Sequence, residues 1–101
     1  MKLRPEAIKA MTTCEIPSHM HGGLIRYFED GIEPGGFLCA LLDNDLMGAA
    51  GKADSMNLRS FHAYAMWLYN HAPHGSYGYT GAVRDWLKMC REGATPSESP
   101  V

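Results

Sequence analysis

The stretch FLCALLDNDLMGAAGKA, residues 37–53, decides the fold class. Phe37, Leu38, Leu41, Leu42, Leu46, Ala49, Ala50 and Ala53 recur at three- and four-residue intervals, which lays one wide apolar stripe along a helix. Asp43, Asn44, Met47 and Lys52 fall largely off that stripe, and the run contains none of the β-branched residues that favour strands. The spacing predicts a helix over 37–53, with Gly48 and Gly51 leaving a thin surface for a neighbouring helix. Asp43 and Asp45 are two apart, so on a helix they diverge and form no shared-proton or shared-metal pair. They are expected on the helix surface.

Working towards the N-terminus, Pro34, Gly35 and Gly36 break the chain ahead of this helix. Before them, Met20, Leu24, Tyr27 and Phe28 share a face over residues 18–30, and Gly31 is placed to end that helix in the left-handed region. Gly22 and Gly23 inside it imply close approach of another backbone, or a kink, the plainer alternative being that the helix starts only after them. Residues 5–11 read as a short helix opened by Pro5 and Glu6 and broken by Thr12 and Thr13. Residues 1–15 are therefore an N-terminal arm.

Working towards the C-terminus, Asp54 or Ser55 caps a third helix over 56–72, whose face holds Leu58, Phe61, Ala65, Leu68, Tyr69 and Ala72 and is widened by Trp67. Pro73 stops it. A Gly/Tyr-rich loop follows, and Thr80 is expected to cap a fourth helix over 81–91 with Val83, Trp86, Leu87 and Cys90 facing inwards. Residues 92–101 carry no packing pattern and read as a disordered tail. The expectation is all-α: a compact bundle of three to four helices over 16–91, with short connections that favour antiparallel neighbours.

Composition sets the remaining bounds. The chain has 101 residues, room for one modest core, and 46% hydrophobic content, too high for a disordered protein. A formal net charge of -2 argues against non-specific nucleic-acid binding, which needs a basic stripe. The three cysteines, Cys14, Cys39 and Cys90, are too few and too scattered for a disulfide framework, so a reducing, cytoplasmic setting is expected. Neither a signal peptide nor a membrane-spanning segment is read. Seven methionines, two tryptophans and five tyrosines exceed what a minimal core needs, which points to a homo-oligomer or partner surface.

The best candidate binding site is the loop His74, Ser76, Tyr77, Tyr79 and Thr80 running into a helix N-terminus. Unpaired N–H groups there favour an anion such as phosphate, the hydroxyls of Ser76 and Thr80 can donate, a tyrosine can stack on a base, and Arg84 lies one turn on. The competing reading is that the glycines make a turn, the tyrosines cover the core and Thr80 only caps. Arg26 and Tyr27 form a second candidate, an arginine fork beside apolar neighbours, against the plainer reading of a solvated side chain. His19 and His21 are two apart, and Pro73 separates His71 from His74, so the histidines show no metal spacing. No metal and no cofactor are expected. No nucleophile, base and orienting group can be placed together, so no enzyme is expected either.

Several strings carry a resemblance. Ile16-Pro17-Ser18-His19-Met20, Gly23-Leu24, Arg26-Tyr27 and Gly31-Ile32-Glu33-Pro34-Gly35-Gly36-Phe37-Leu38 are followed by Leu42-Asp43-Asn44-Asp45-Leu46 and Ala53-Asp54. Leu68-Tyr69-Asn70-His71-Ala72-Pro73 and Val83-Arg84-Asp85-Trp86-Leu87 complete the set. Over residues 16–87 the chain resembles a group of small uncharacterised phage and prophage proteins. It departs from their Trp-Gly-Ser pattern at Ser76-Tyr77-Gly78-Tyr79. The resemblance implies a phage or prophage accessory protein in a bacterial cytoplasm. In that setting the expectation is a non-enzymatic protein that counters host defence by sequestering a nucleotide signal as an oligomer. The alternative is an inhibitor or adaptor that docks a helical surface on a host defence or transcription protein.

Overall fold

The computed structural model describes residues 2–93, and among them it is all-helical. Seven helices follow in order: α1 Pro5–Thr13, α2 Ser18–Ile25, α3 Gly36–Leu42, α4 Leu46–Lys52, α5 Ser55–Leu58, α6 Phe61–His71 and α7 Ala82–Arg91. The all-α expectation stands. The longer helices expected over 37–53 and 56–72 are each divided in two.

The helix expected over 18–30 is continuous, α2 passing directly into a π-helical turn at Arg26–Asp30. Gly31 ends it at φ 66°, as its lack of a Cβ allows. The same position is also tight: a Cβ there would sit 2.6 Å from Cys90 Cβ on α7. What crowds Gly22 is not another backbone. A Cβ at Gly22 would lie 2.9 Å from Nη1 of Arg26, so the glycine makes room for that guanidinium to fold back along its own helix.

The first division falls at Asp43-Asn44-Asp45. Asn44 takes φ 64°, a conformation Asn tolerates better than most residues, and closes α3. Asp45 then caps α4, its Oδ1 accepting from the Gly48 N–H at 3.0 Å. The turn rotates the stripe read from the sequence, and Leu46, expected in the core, is 63% exposed. The second division follows α5. Asp54 caps that helix as expected, accepting from the Asn57 N–H at 2.7 Å, and this bond holds its carboxyl below the usual carboxylate range. Beyond Leu58 the chain turns at Arg59 and Ser60, whose Oγ donates to Met56 O at 2.7 Å, before α6 begins. α6 ends where Ala72 turns extended ahead of Pro73.

The core is aromatic. Phe28 packs on Tyr27 at 5.0 Å and on Trp67 at 5.4 Å between ring centroids, and Trp86 closes the cluster. Burying each large apolar side chain contributes about 1.5–3 kcal/mol. The polar ends of these rings are all met. Trp67 Nε1 donates to Ala7 O at 2.7 Å, Trp86 Nε1 to Tyr27 O at 2.9 Å, and the Tyr64 hydroxyl to the buried Asn57 side chain at 2.6 Å. The bond to Ala7 shows that the N-terminal arm is docked. Leu3, Ala7 and Met11 are buried in the same core, and the Leu3 N–H donates to Glu29 at 3.0 Å. Glu92 and Gly93 close α7 through backbone bonds to Lys88, Met89 and Cys90, while residues 94–101 of the expected tail lie outside the described residues.

Candidate functional site

The loop singled out from the sequence splits into a buried half and an exposed half. Ser76 is fully buried. Its Oγ donates to Pro73 O at 2.6 Å, and its carbonyl accepts the Tyr27 hydroxyl at 2.8 Å. Tyr27 is equally buried, and burial pushes its phenol well above the ordinary value, so it stays protonated. These two expected ligand contacts are instead bonded to one another, and together they fix the loop to the π-helical turn.

The helix N-terminus expected to hold an anion is already met by the protein. Gly81, at φ 91°, occupies the cap position in place of Thr80, and no side chain caps from within the loop. Asp43, at the end of α3, accepts from the Val83 N–H at 2.8 Å. Its carboxylate supplies the negative charge that the start of α7 favours.

Arg26 and Arg84 are exposed and line two separate clefts, with Glu33 on the wall of both. Arg26 lines a cleft of about 330 Å³ with His19, Glu33 and Leu38. Arg84 lines another, of about 380 Å³, with Glu33, Asp43 and Arg91, and its Nε lies 3.3 Å from its neighbour Asp85. Thr80 faces a third cleft of about 530 Å³ beside Asp43, Asp45 and Lys52. Only His74, Tyr77 and Tyr79 of the expected set meet, in a cleft of about 430 Å³ shared with Tyr69 and Ala72. The Tyr79 hydroxyl donates to Asp85 at 3.1 Å, and partial burial and that carboxylate both push its phenol up.

Adjoining this aromatic cleft is a groove the sequence reading did not anticipate. Leu41, Leu46, Phe61, Met66, Tyr69 and Tyr77 line about 540 Å³ between the α3–α4 corner, α6 and the loop. The division at Asp43–Asp45 creates it, because it swings Leu46 away from the core. α6 gives the groove Phe61, Ala65, Met66, Leu68 and Tyr69, and its outer stripe of His62, Ala65, Met66 and Tyr69 is exposed, on the side opposite the buried Tyr64 and Trp67. The sequence holds a signal for this face: no Asp, Glu, Lys or Arg stands between Arg59 and Arg84. An exposed helix face without charge is unusual on a protein surface and matches the charge-depleted centre of an interface.

Neither Cys39 nor Cys90 is an activated thiolate. Burial pushes the thiols of Cys39 and Cys90 up, with Glu33 and Asp43 adding to the effect at Cys39, whose Sγ donates to Pro34 O at 3.3 Å. Among the described residues, no group of three His, Cys, Asp or Glu side chains is gathered as metal ligands. No helix among them is long and apolar enough to cross a membrane. No family model, curated protein or solved structure matches the chain.

Proposed function

We propose that the protein acts by binding another protein through the uncharged outer face of α6 and the groove beside it. The observation that carries this reading is the exposure of Leu46, Met66 and Tyr69, the last 80% exposed, around a groove lined almost wholly by apolar groups. Aromatic residues and methionine are enriched at interface centres, and apolar area exposed in one contiguous patch marks such sites. In the setting that the resemblance implies, this is a non-enzymatic phage or prophage accessory protein in the bacterial cytoplasm, and the partner is a host defence or transcription protein.

A photo-crosslinking residue placed at Tyr69, in cells of the bacterial host, tests this. It should form a light-dependent adduct with one defined protein, lost when Leu46→Glu is added and absent when the crosslinker replaces Lys9 on α1. No adduct, or the same adducts from both positions, would overturn the reading.

Sequestration of a nucleotide is the second reading, favoured by the meeting of His74, Tyr77 and Tyr79 with Tyr69 around one cleft, where a planar base can stack. Native mass spectrometry of gently purified protein should then show retained mass of nucleotide size, lost in Tyr77→Ala. Bare protein would return the loop to a purely structural role.

A further inference from the structure

We infer that binding through the outer face of α6 is switched by pH, with His62 and His74 as the switch: the face holds its partner while both imidazoles are neutral and releases it when they gain a proton. The inference rests on the reading of this face as a protein-binding surface, and adds its regulation.

The run from Ser60 to Val83 carries no Asp, Glu, Lys or Arg, but it carries three histidines, His62, His71 and His74. Histidine is the side chain that ordinarily changes charge between about pH 5 and about pH 8. The other titratable side chains of the run are tyrosines, a type that keeps its proton through that range. A face with no formal charge at neutral pH therefore becomes cationic in mild acid.

The fold sets two of the three histidines where a partner closes. His62 is exposed on the outer stripe of α6, one turn ahead of Ala65 and Met66. His74 is exposed in the cleft with Tyr69, Tyr77 and Tyr79, and Tyr69 and Tyr77 are also walls of the apolar groove. Among the described residues, neither imidazole makes a hydrogen bond or ion pair. His71 differs, since it packs on Trp67 at 6.1 Å between ring centroids and its Nδ1 is buried without a hydrogen-bond partner.

The flanking elements offer no countercharge that is not already engaged. Asp43 accepts from the Val83 N–H, Asp45 from the Gly48 N–H, Asp54 from the Asn57 N–H and Asp85 from the Tyr79 hydroxyl. Lys52, Arg59 and Arg84, the cations on those elements, oppose a further positive charge. α1, with Glu6 and Lys9, and the π-helical turn, with Arg26, Glu29 and Asp30, meet α6 on its inner side through Trp67. A partner that closes over the outer face takes His62 and His74 out of water. A neutral ring is buried there at little cost, whereas a charged one loses its hydration and finds no carboxylate on the face to replace it. Binding thus favours the neutral form, so capture is full above the histidine range and falls as pH drops through it.

The adduct that the Tyr69 crosslinker forms in extract of the bacterial host is the probe, and the extract dilution that halves it gives a relative affinity. That affinity is expected to fall about tenfold or more between about pH 7.5 and about pH 5.5, with the helicity of the chain unchanged. His62→Gln combined with His74→Gln leaves both positions neutral throughout, and should keep the affinity in acid within about twofold of that at neutral pH. His62→Lys, charged throughout, should weaken the adduct at both. A double variant that still loses the adduct in acid, or helicity lost with it, overturns the switch. The two readings fail separately. An adduct equally strong at both pH values overturns the switch and leaves the docking face standing, whereas no adduct at either overturns the docking face and the switch with it.

Discussion

The two sides of α6 are both apolar, yet they do different work. On the inner side Tyr64, Trp67 and Leu68 are buried, and both polar ring atoms are bonded to other elements: Tyr64 to Asn57 and Trp67 to Ala7, across 60 residues of sequence. On the outer side the side chains of His62, Ala65, Met66 and Tyr69 make no hydrogen bond or ion pair with any described residue. An apolar residue that the fold covers contributes to stability. One of the same chemistry that the fold leaves open contributes to recognition, and carries the energy it would gain on burial into a contact with something else. The separation of the two roles on one helix is the feature to attack.

The largest effect is expected on the inner side. Trp67→Ala removes the ring that joins Phe28 to α1 and should cost about 3–5 kcal/mol, much of the stability of a domain this size, read as a collapse of the urea midpoint. Alkaline pH strikes the same side. Burial raises the phenols of Tyr27 and Tyr64 above their ordinary value. Their contribution is therefore fully present below about pH 10 and lost as pH rises beyond it towards the folded values. Thermal melts followed by phenolate absorbance should show Tyr27 and Tyr64 ionising only with unfolding. A smaller loss, about 0.5–2 kcal/mol, is expected from Asp43→Ala, which unhooks the start of α7, with faster amide exchange at Val83 as its local signature. On the outer side, substitutions should cost no more than about 0.5 kcal/mol while abolishing association.

Much of the fold was legible because local chemistry and tertiary packing agree there. Gly31 ends a helix in the left-handed region and is also the close approach to Cys90. Asp54 caps where its side chain predicts, and Pro73 stops α6. The divisions were not legible from periodicity, since Leu46 follows Leu42 at helical spacing and continues the stripe by every count. Only the Asp43-Asn44-Asp45 triplet marks the break, a left-handed Asn followed by a capping Asp, and a stripe of leucines outweighs it. The candidate site was less legible still. Ser76 and Tyr27 have the groups a ligand would want, but the Ser76 hydroxyl is taken by Pro73 within its own turn and the Tyr27 hydroxyl by a carbonyl 49 residues away. Thr80 lost its expected cap to Gly81 for a similar reason, the helix end being served by Asp43 from across the fold. The uncharged run from Ser60 to Val83 is readable in one pass, but whether it covers a core or faces outwards depends on the breaks on either side of it.

The most direct measurement is made on one variant, Tyr69→Glu, with stability and association read from the same preparation. A denaturation midpoint close to the wild type, together with loss of partner capture, is the expected result. A variant that unfolds would place the outer face of α6 in the core after all, and one that folds and associates like the wild type would leave that face without a role.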